Sequence, residues 1–320
     1  MIEVSRCVVC DGPIRRMKRA LVAPFLAQRV WNRDPFCVDL VQCDACGFLF
    51  YNPRLDEDDL RRLYANYRLD DYQRMRHASE PWYTTRFNED LASPASYDFR
   101  RRKLAPLLLK HIGNRTIHRI LDHGGDRGDL VAGLFQDTQA FVYDISGIPP
   151  ALGVTAVADP SACKPDLIVN SNVLEHVGFP RRVVGEILQS APRSALIYIE
   201  VPCEHPFEFW RILRRTAQIG IMALTHPSLA RLVLRPAALY MMHEHINYFT
   251  EQTLATLLRC AGGTVLASGR YTLGTRPGDA KVVWCLGKTA GPADDELLTH
   301  QVVRDPIAGH LSVERVGKSR

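Results

Sequence analysis

Ile120-Leu-Asp-His-Gly-Gly-Asp-Arg-Gly128 is the stretch on which the fold turns. Two apolar residues lead through Asp122 into a turn with glycine at 124, 125 and 128. The pattern is that of a short buried strand followed by a loop whose backbone approaches a ligand closely. A helix over 129–135 is expected next, with its N-terminus facing an anionic group. Phe141-Val-Tyr-Asp144 then supplies a second strand, and its terminal acid lies 22 positions beyond Asp122. A carboxylate at that spacing accepts hydrogen bonds from ribose hydroxyls.

Working outward, near-continuous apolar runs at 154–159, 165–169 and 194–201 read as buried parallel strands. Helices are expected over 97–111, 182–189 and 252–260, and closing strands over 264–268 and 281–286. The fold class is therefore α/β, a Rossmann-like doubly wound sheet spanning 97–288. A helical insertion at 204–242, rich in apolar residues and arginine, reads as a lid or acceptor-binding wall. It is also a weaker candidate for contact with a membrane surface.

The N-terminus carries a different signal. Cys7-Val-Val-Cys10 and Cys43-Asp-Ala-Cys46 form two pairs, and two such knuckles let four thiolates converge on one zinc ion. Four ligands close the site, so the zinc would be structural and would stand in for a core the segment lacks. Four independent buried cysteines are the alternative. Cys37 lies outside both pairs and reads as a packing residue. Val30, Trp31, Phe36, Val38 and Leu40 are expected to form strands over the site. Residues 1–55 thus read as a small zinc-ribbon-like module. In 56–96, a helical linker or cover, a helix starts at the acidic run 56–59 and presents Leu60, Leu63, Tyr64 and Tyr67. Periodicity fades over 69–96, and 289–320 read as a mobile tail.

The chain has 320 residues, 46% hydrophobic and 23% charged, enough for one large core and a small satellite. A net charge of +5 permits anionic substrates without calling for nucleic acid. The run Arg100-Arg-Arg-Lys103 reads as a solvated helix face. No apolar signal segment opens the sequence, and no apolar run is long enough to span a bilayer. Nine cysteines in that setting read as reduced thiols of a cytoplasmic protein.

Taken together these motifs match a family. Leu121-Asp-His-Gly-Gly-Asp-Arg-Gly128 resembles motif I of class I S-adenosylmethionine (SAM)-dependent methyltransferases, and Asn172-Val-Leu-Glu-His-Val177 looks like the segment after their fourth strand. The cysteine pairs, Tyr51-Asn-Pro-Arg54 and His243-Glu-His-Ile-Asn-Tyr-Phe249 resemble zinc-containing members that include nucleotide-sugar C-methyltransferases. The resemblance implies that Asp122, Gly124, Gly125 and Gly128 border the methionine part of the cofactor. It places Asp144 on the ribose, Asp159 beside adenine, and Asn172, Leu174, Glu175 and His176 near the sulfonium. It makes His245 the general base, with Glu244 and His243 in support. Asp126 stands where the commonest motif has glycine, so its side chain must turn away from the cofactor. Met242 stands where the sugar C-methyltransferases usually have tyrosine, and their long C-terminal domain is not expected here, which leaves O-methylation open.

Methyl transfer from a sulfonium is an in-line displacement, so alignment dominates. A sugar hydroxyl ionises far above neutrality, and histidine suits the removal of its proton. His243 and His245 would share a face if the segment is extended. The acceptor is expected to be a small molecule, glycosyl in the sense of a sugar or nucleotide-linked sugar. RNA methylation and a zinc-stapled binding protein that no longer uses the cofactor are the alternatives.

Overall fold

The structure is a computed structural model that describes residues 1–67, 69–91, 93–225, 230–273 and 280–289. Met1–Thr289 form one compact unit. The tail expected over 289–320 lies outside the described residues apart from Thr289, which ends a strand.

Seven strands make the main sheet: β4 (Arg119–His123), β5 (Gln139–Tyr143), β6 (Val154–Ala156), β7 (Leu167–Ser171), β8 (Leu196–Pro202), β10 (Gly263–Thr272) and β11 (Lys281–Thr289). Their order is β10-β11-β8-β7-β4-β5-β6. β4 to β8 are mutually parallel, and β11 enters antiparallel beside β8 and β10. β7 is buried along its whole length, as a central parallel strand covered on both faces must be. The strand order reverses between β4 and β7, where open α/β sheets bind their ligands. The doubly wound expectation is borne out.

A second sheet, β1 (Ile14–Leu21), β2 (Cys37–Cys43), β3 (Leu49–Asn52) and β9 (Asn247–Tyr248), joins the front of the chain to a segment two hundred residues later. Between β1 and β2, however, Val30 and Trp31 belong to a helix, α1 (Pro24–Trp31), rather than to strands. Pro24 presets the first turn, and Asn32 at φ 48° closes the last. α2 (Glu57–Tyr64) begins where the acidic run predicts, with Asp56 and Asp59 forming a reciprocal capping box. The segment without clear periodicity folds into α3 (Asp70–Ser79) and α4 (Thr85–Leu91). α5 (Pro94–Ile112), α6 (Pro180–Ser190) and α9 (Glu251–Cys260) cover the main sheet, and α7 (Phe209–Thr225) and α8 (Ala230–Val233) make up the insertion. Among the described residues no helix is long and apolar enough to cross a membrane.

Candidate active site

The glycine turn is shaped first by its own packing. Asp122, at the end of β4, is 1% exposed, and neither carboxylate oxygen has a hydrogen-bond partner. Burial pushes its carboxyl up to about 7, against the pull of Arg100. A Cβ on Gly125 would fall 2.0 Å from that carboxyl carbon, and one on Gly124 2.7 Å from Val173. Gly124 and Gly128 both lie at φ +78°, and a Cβ on Gly128 would press Val154 at 2.8 Å. These positions therefore require glycine before any ligand arrives. Asp126, at φ 59°, donates its N–H to Asp144 Oδ2 at 2.8 Å, and Ser146 N–H bonds Oδ1 at 2.7 Å. Asp144 thus ties the loop to β5 while keeping further lone pairs for a ligand.

The helix expected over 129–135 is replaced by turns. The N–H groups of Val131 and Ala132 both bond the Gly128 carbonyl, and Gly133 at φ +69° leaves the helical region. No helix N-terminus faces the loop at that position.

A cleft of about 510 Å³ opens above the switch point. His123, Gly124, Asp144, Asn172 and His176 line it from the sheet, and Leu60, Tyr64 and Tyr67 from the cover. Pro160 reaches it, whereas Asp159 is exposed and bonds Ser161 N–H at 2.9 Å and Oγ at 2.8 Å. Leu174 is fully buried in the core beneath. Asn170 donates Nδ2 to the His123 carbonyl at 2.9 Å, leaving a buried Oδ1 without a partner.

Two histidines meet beside this cleft. The rings of His176 and His245 stand edge to face with centroids 4.7 Å apart. His176 Nδ1 lies 3.1 Å from the Glu244 carbonyl, so that nitrogen carries the proton and Nε2 does not. Burial, and then the neighbouring His245, push the His176 ring down to about 3. His245 Nδ1 lies 2.8 Å from Glu204 Oε2. Burial opposes its charge, but the carboxylates of Glu204, Glu175 and Glu244 outweigh it and raise His245 to about 9. Glu175 is 1% exposed, neither of its oxygens accepts a hydrogen bond although Oε1 lies 3.6 Å from His176 Nε2, and burial raises it to about 7.

The neighbours of His245 in sequence are engaged elsewhere. Glu244 accepts from Tyr72 Oη and from Arg76 Nη1 at 2.6 Å, and it is held at about 2 although buried. His243 accepts the Glu244 N–H at 2.8 Å and binds Glu80 through Nε2. His243 and Glu244 therefore anchor the α3 region, while His245 turns to Glu204 after β8.

A family model described as a methyltransferase domain matches residues 96–268. The chain belongs to this methyltransferase family. No curated protein matches it. Among solved structures, it is similar to a Burkholderia thailandensis 1,6-didemethyltoxoflavin N1-methyltransferase holding its substrate and S-adenosylhomocysteine (SAH). Identity there is 17% over 79% of this chain and 96% of the other, with a TM-score of 0.46. Human N-acetylserotonin methyltransferase with SAM follows at 12% identity, 69% and 68% coverage and a TM-score of 0.39. The plantazolicin methyltransferase BpumL with SAH gives 11%, 72% and 96%, and 0.40.

At the front of this methyltransferase, the Sγ atoms of Cys7, Cys10, Cys43 and Cys46 all lie within 4.8 Å of one another. Cys7 and Cys46 are 3.8 Å apart, and Cys10 and Cys43 are 3.5 Å apart. Four sulfurs held about 2.3 Å from one zinc would be spaced about 3.8 Å apart. The N–H groups of Val9 and Cys46 point at Cys7 and Cys43 sulfur, both at 3.4 Å, as suits thiolate acceptors. The donor set fits tetrahedral zinc.

Three further residues have roles that a sequence-level reading does not give. Glu204, which fixes the His245 ring, follows a parallel strand at its ligand-binding end, and that position was its only signal. Arg100 is no solvated residue: its guanidinium bonds Glu200 at 3.0 Å and Ser171 Oγ at 2.5 Å. Arg54 is fully buried between the front sheet and both histidine loops.

Proposed function

We propose that this methyltransferase moves the methyl group of SAM to a hydroxyl of a small acceptor, a sugar or nucleotide-linked sugar, with His245 as general base. The observation carrying this reading is the Glu204–His245 pair, whose imidazole packs on His176, a residue that lines the cleft. Glu204 fixes which nitrogen bears the proton when the ring is neutral, so Nε2 is the atom that accepts the acceptor's proton. Once protonated, the ring is stabilised by the same carboxylate. His176 is held neutral, which keeps a second positive charge away from His245.

SAM supplies an electrophilic methyl on a cationic sulfonium. The residues fit such a cofactor: Asp122, Asn170 and Glu175 present buried oxygens that lack donors, and burying such acceptors unpaired is costly. The ammonium of such a ligand donates hydrogen bonds that answer that need, carboxylates attract its sulfonium by charge, and Asp144 remains able to accept from a ribose. Titration calorimetry with SAM and SAH tests this directly. Micromolar binding, about −8 kcal/mol, is expected; no heat from a folded sample would overturn the cofactor assignment.

The pH profile tests the base. His245 must be neutral to act, and its raised pKa keeps it protonated near neutrality. With saturating substrates the rate should therefore climb with pH and level off towards about 9. Glu204→Gln removes the chief upward influence, so the same limb should move to lower pH. A flat profile from pH 6 to about 9 would eliminate His245 as the base.

The four-cysteine cluster is proposed to hold a structural zinc in a reducing, cytoplasmic setting. Cys43→Ser should release the metal and lower the stability of the front sheet, read as lost zinc content and a lower melting temperature. A metal-replete variant that melts like the parent would contradict the assignment.

A further inference from the structure

The segment between Phe209 and Met242 is not used by the methyl-transfer site as described. It contains five arginines, at 211, 214, 215, 231 and 235, and no aspartate, glutamate or lysine. The whole of the chain's net charge of +5 is thus concentrated in these residues, and the rest of the sequence is neutral in sum.

α7 has apolar side chains on two faces. On one, Ile219 and Met222 are buried in a cluster that also holds Val233 and Ala238. On the other, Phe209, Leu213, Ala217, Gly220 and Leu224 fall within an arc of about 80° at 3.6 residues per turn. Leu213 is 50% exposed, Leu224 83% and Phe209 69%, and Leu234 beyond α7 is 66% exposed. Among the described residues, five of the twelve exposed large apolar side chains fall in this one segment, so the concentration is local rather than scattered. Arg214 and Arg231 of the same segment are exposed as well. The basic rim continues onto β1, an edge strand, where Lys18 lies over the Tyr240 ring at 5.9 Å and Arg19 is exposed.

We infer that this face docks the methyltransferase on an anionic lipid bilayer. The leucine stripe enters the boundary between headgroups and acyl chains, and the exposed Arg214 and Arg231 meet lipid phosphates. α7 is too short and too charged to cross, so it lies on the surface. A second copy of the chain is the rival occupant. Apposed copies would bring these arginines together with no carboxylate in either segment to answer them, whereas an anionic surface supplies that charge. The inference does not depend on which acceptor is methylated.

Sedimentation of the full chain with vesicles tests it. Phosphatidylcholine vesicles containing phosphatidylglycerol should bind the protein more than about tenfold better than pure phosphatidylcholine, and raised salt should release it. Leu213→Glu with Leu224→Glu should abolish binding while melting temperature and SAM affinity stay unchanged. Arg214→Gln with Arg231→Gln keeps the apolar stripe and should lower the preference for anionic vesicles. Absence of that preference in the parent, or equal binding by the glutamate variant, would overturn the inference. So would a parent dimer that ignores vesicles and is split by the glutamate variant.

Discussion

His245→Ala should lower kcat by about 10²–10⁴-fold while leaving SAM affinity nearly unchanged. The size follows from what the side chain does under the proposed mechanism. A sugar hydroxyl keeps its proton at neutral pH, so the oxygen becomes a competent nucleophile only as that proton leaves. His245 is the histidine whose Nδ1 is held by a carboxylate, Glu204 at 2.8 Å, which leaves Nε2 for the acceptor. His176 is bound to a backbone carbonyl and stays neutral to about 3, so it is too weak a base to substitute. Glu204→Gln should fall between parent and alanine variant in kcat and should also move the pH limb, which a purely structural residue would not do. His243→Ala should behave differently again. Its ring stacks on Phe25 and binds Glu80, so its loss should register in melting temperature before turnover. If His245→Ala turned over like the parent, the base assignment would be wrong even with the methyltransferase family secure.

How much of this could be read from sequence depends on the range of the interactions involved. The β4 strand, its glycine turn and the acid of β5 were legible because each is encoded within a few residues. So was α2, whose capping box needs only Asp56 and Asp59. The cysteine pairs were legible because knuckle spacing is local, although their convergence required the fold. α3 and α4 were not, because their apolar faces are aromatic and sparse, and they are held from outside. Tyr72 packs edge-on to Phe25 and Tyr67, and Arg76 reaches Glu244 across 168 positions. The helix expected over 129–135 does not form, because Gly128 and Gly133 both sit at positive φ. Arg100 looked solvated because its partner Glu200 lies a hundred residues away.

Arg54→Ala should destabilise the protein by about 2–4 kcal/mol, and Arg54→Lys should not restore most of the loss. Arg54 is 0% exposed and, among the described residues, no carboxylate pairs with it. It donates instead to five oxygens: the carbonyls of Tyr51 at 2.5 Å, Gly178 at 2.8 Å, Val177 at 3.2 Å and Ile246 at 3.5 Å, and Asn247 Oδ1. Those oxygens come from the front sheet, the loop after β7 and β9, so one planar fork joins three parts of the chain. Alanine would remove the Arg54 donor from the Gly178 carbonyl and from Asn247 Oδ1, each a desolvation cost of about 1–3 kcal/mol if nothing relaxes, while the Ile246 and Val177 carbonyls keep the Tyr51 N–H and Asn247 Nδ2 as donors. Lysine keeps the charge but concentrates its donors at one point and cannot span the same set. The clamp also bears on catalysis, because Val177 follows His176 directly and Ile246 follows His245. Under permissive conditions, with Arg54→Lys still folded, kcat should therefore fall more than SAM affinity, as the two rings lose their relative placement. A variant with parental melting temperature and parental kcat would mean that water or neighbouring donors replace the fork. In that case the front sheet would not be what positions His176 and His245.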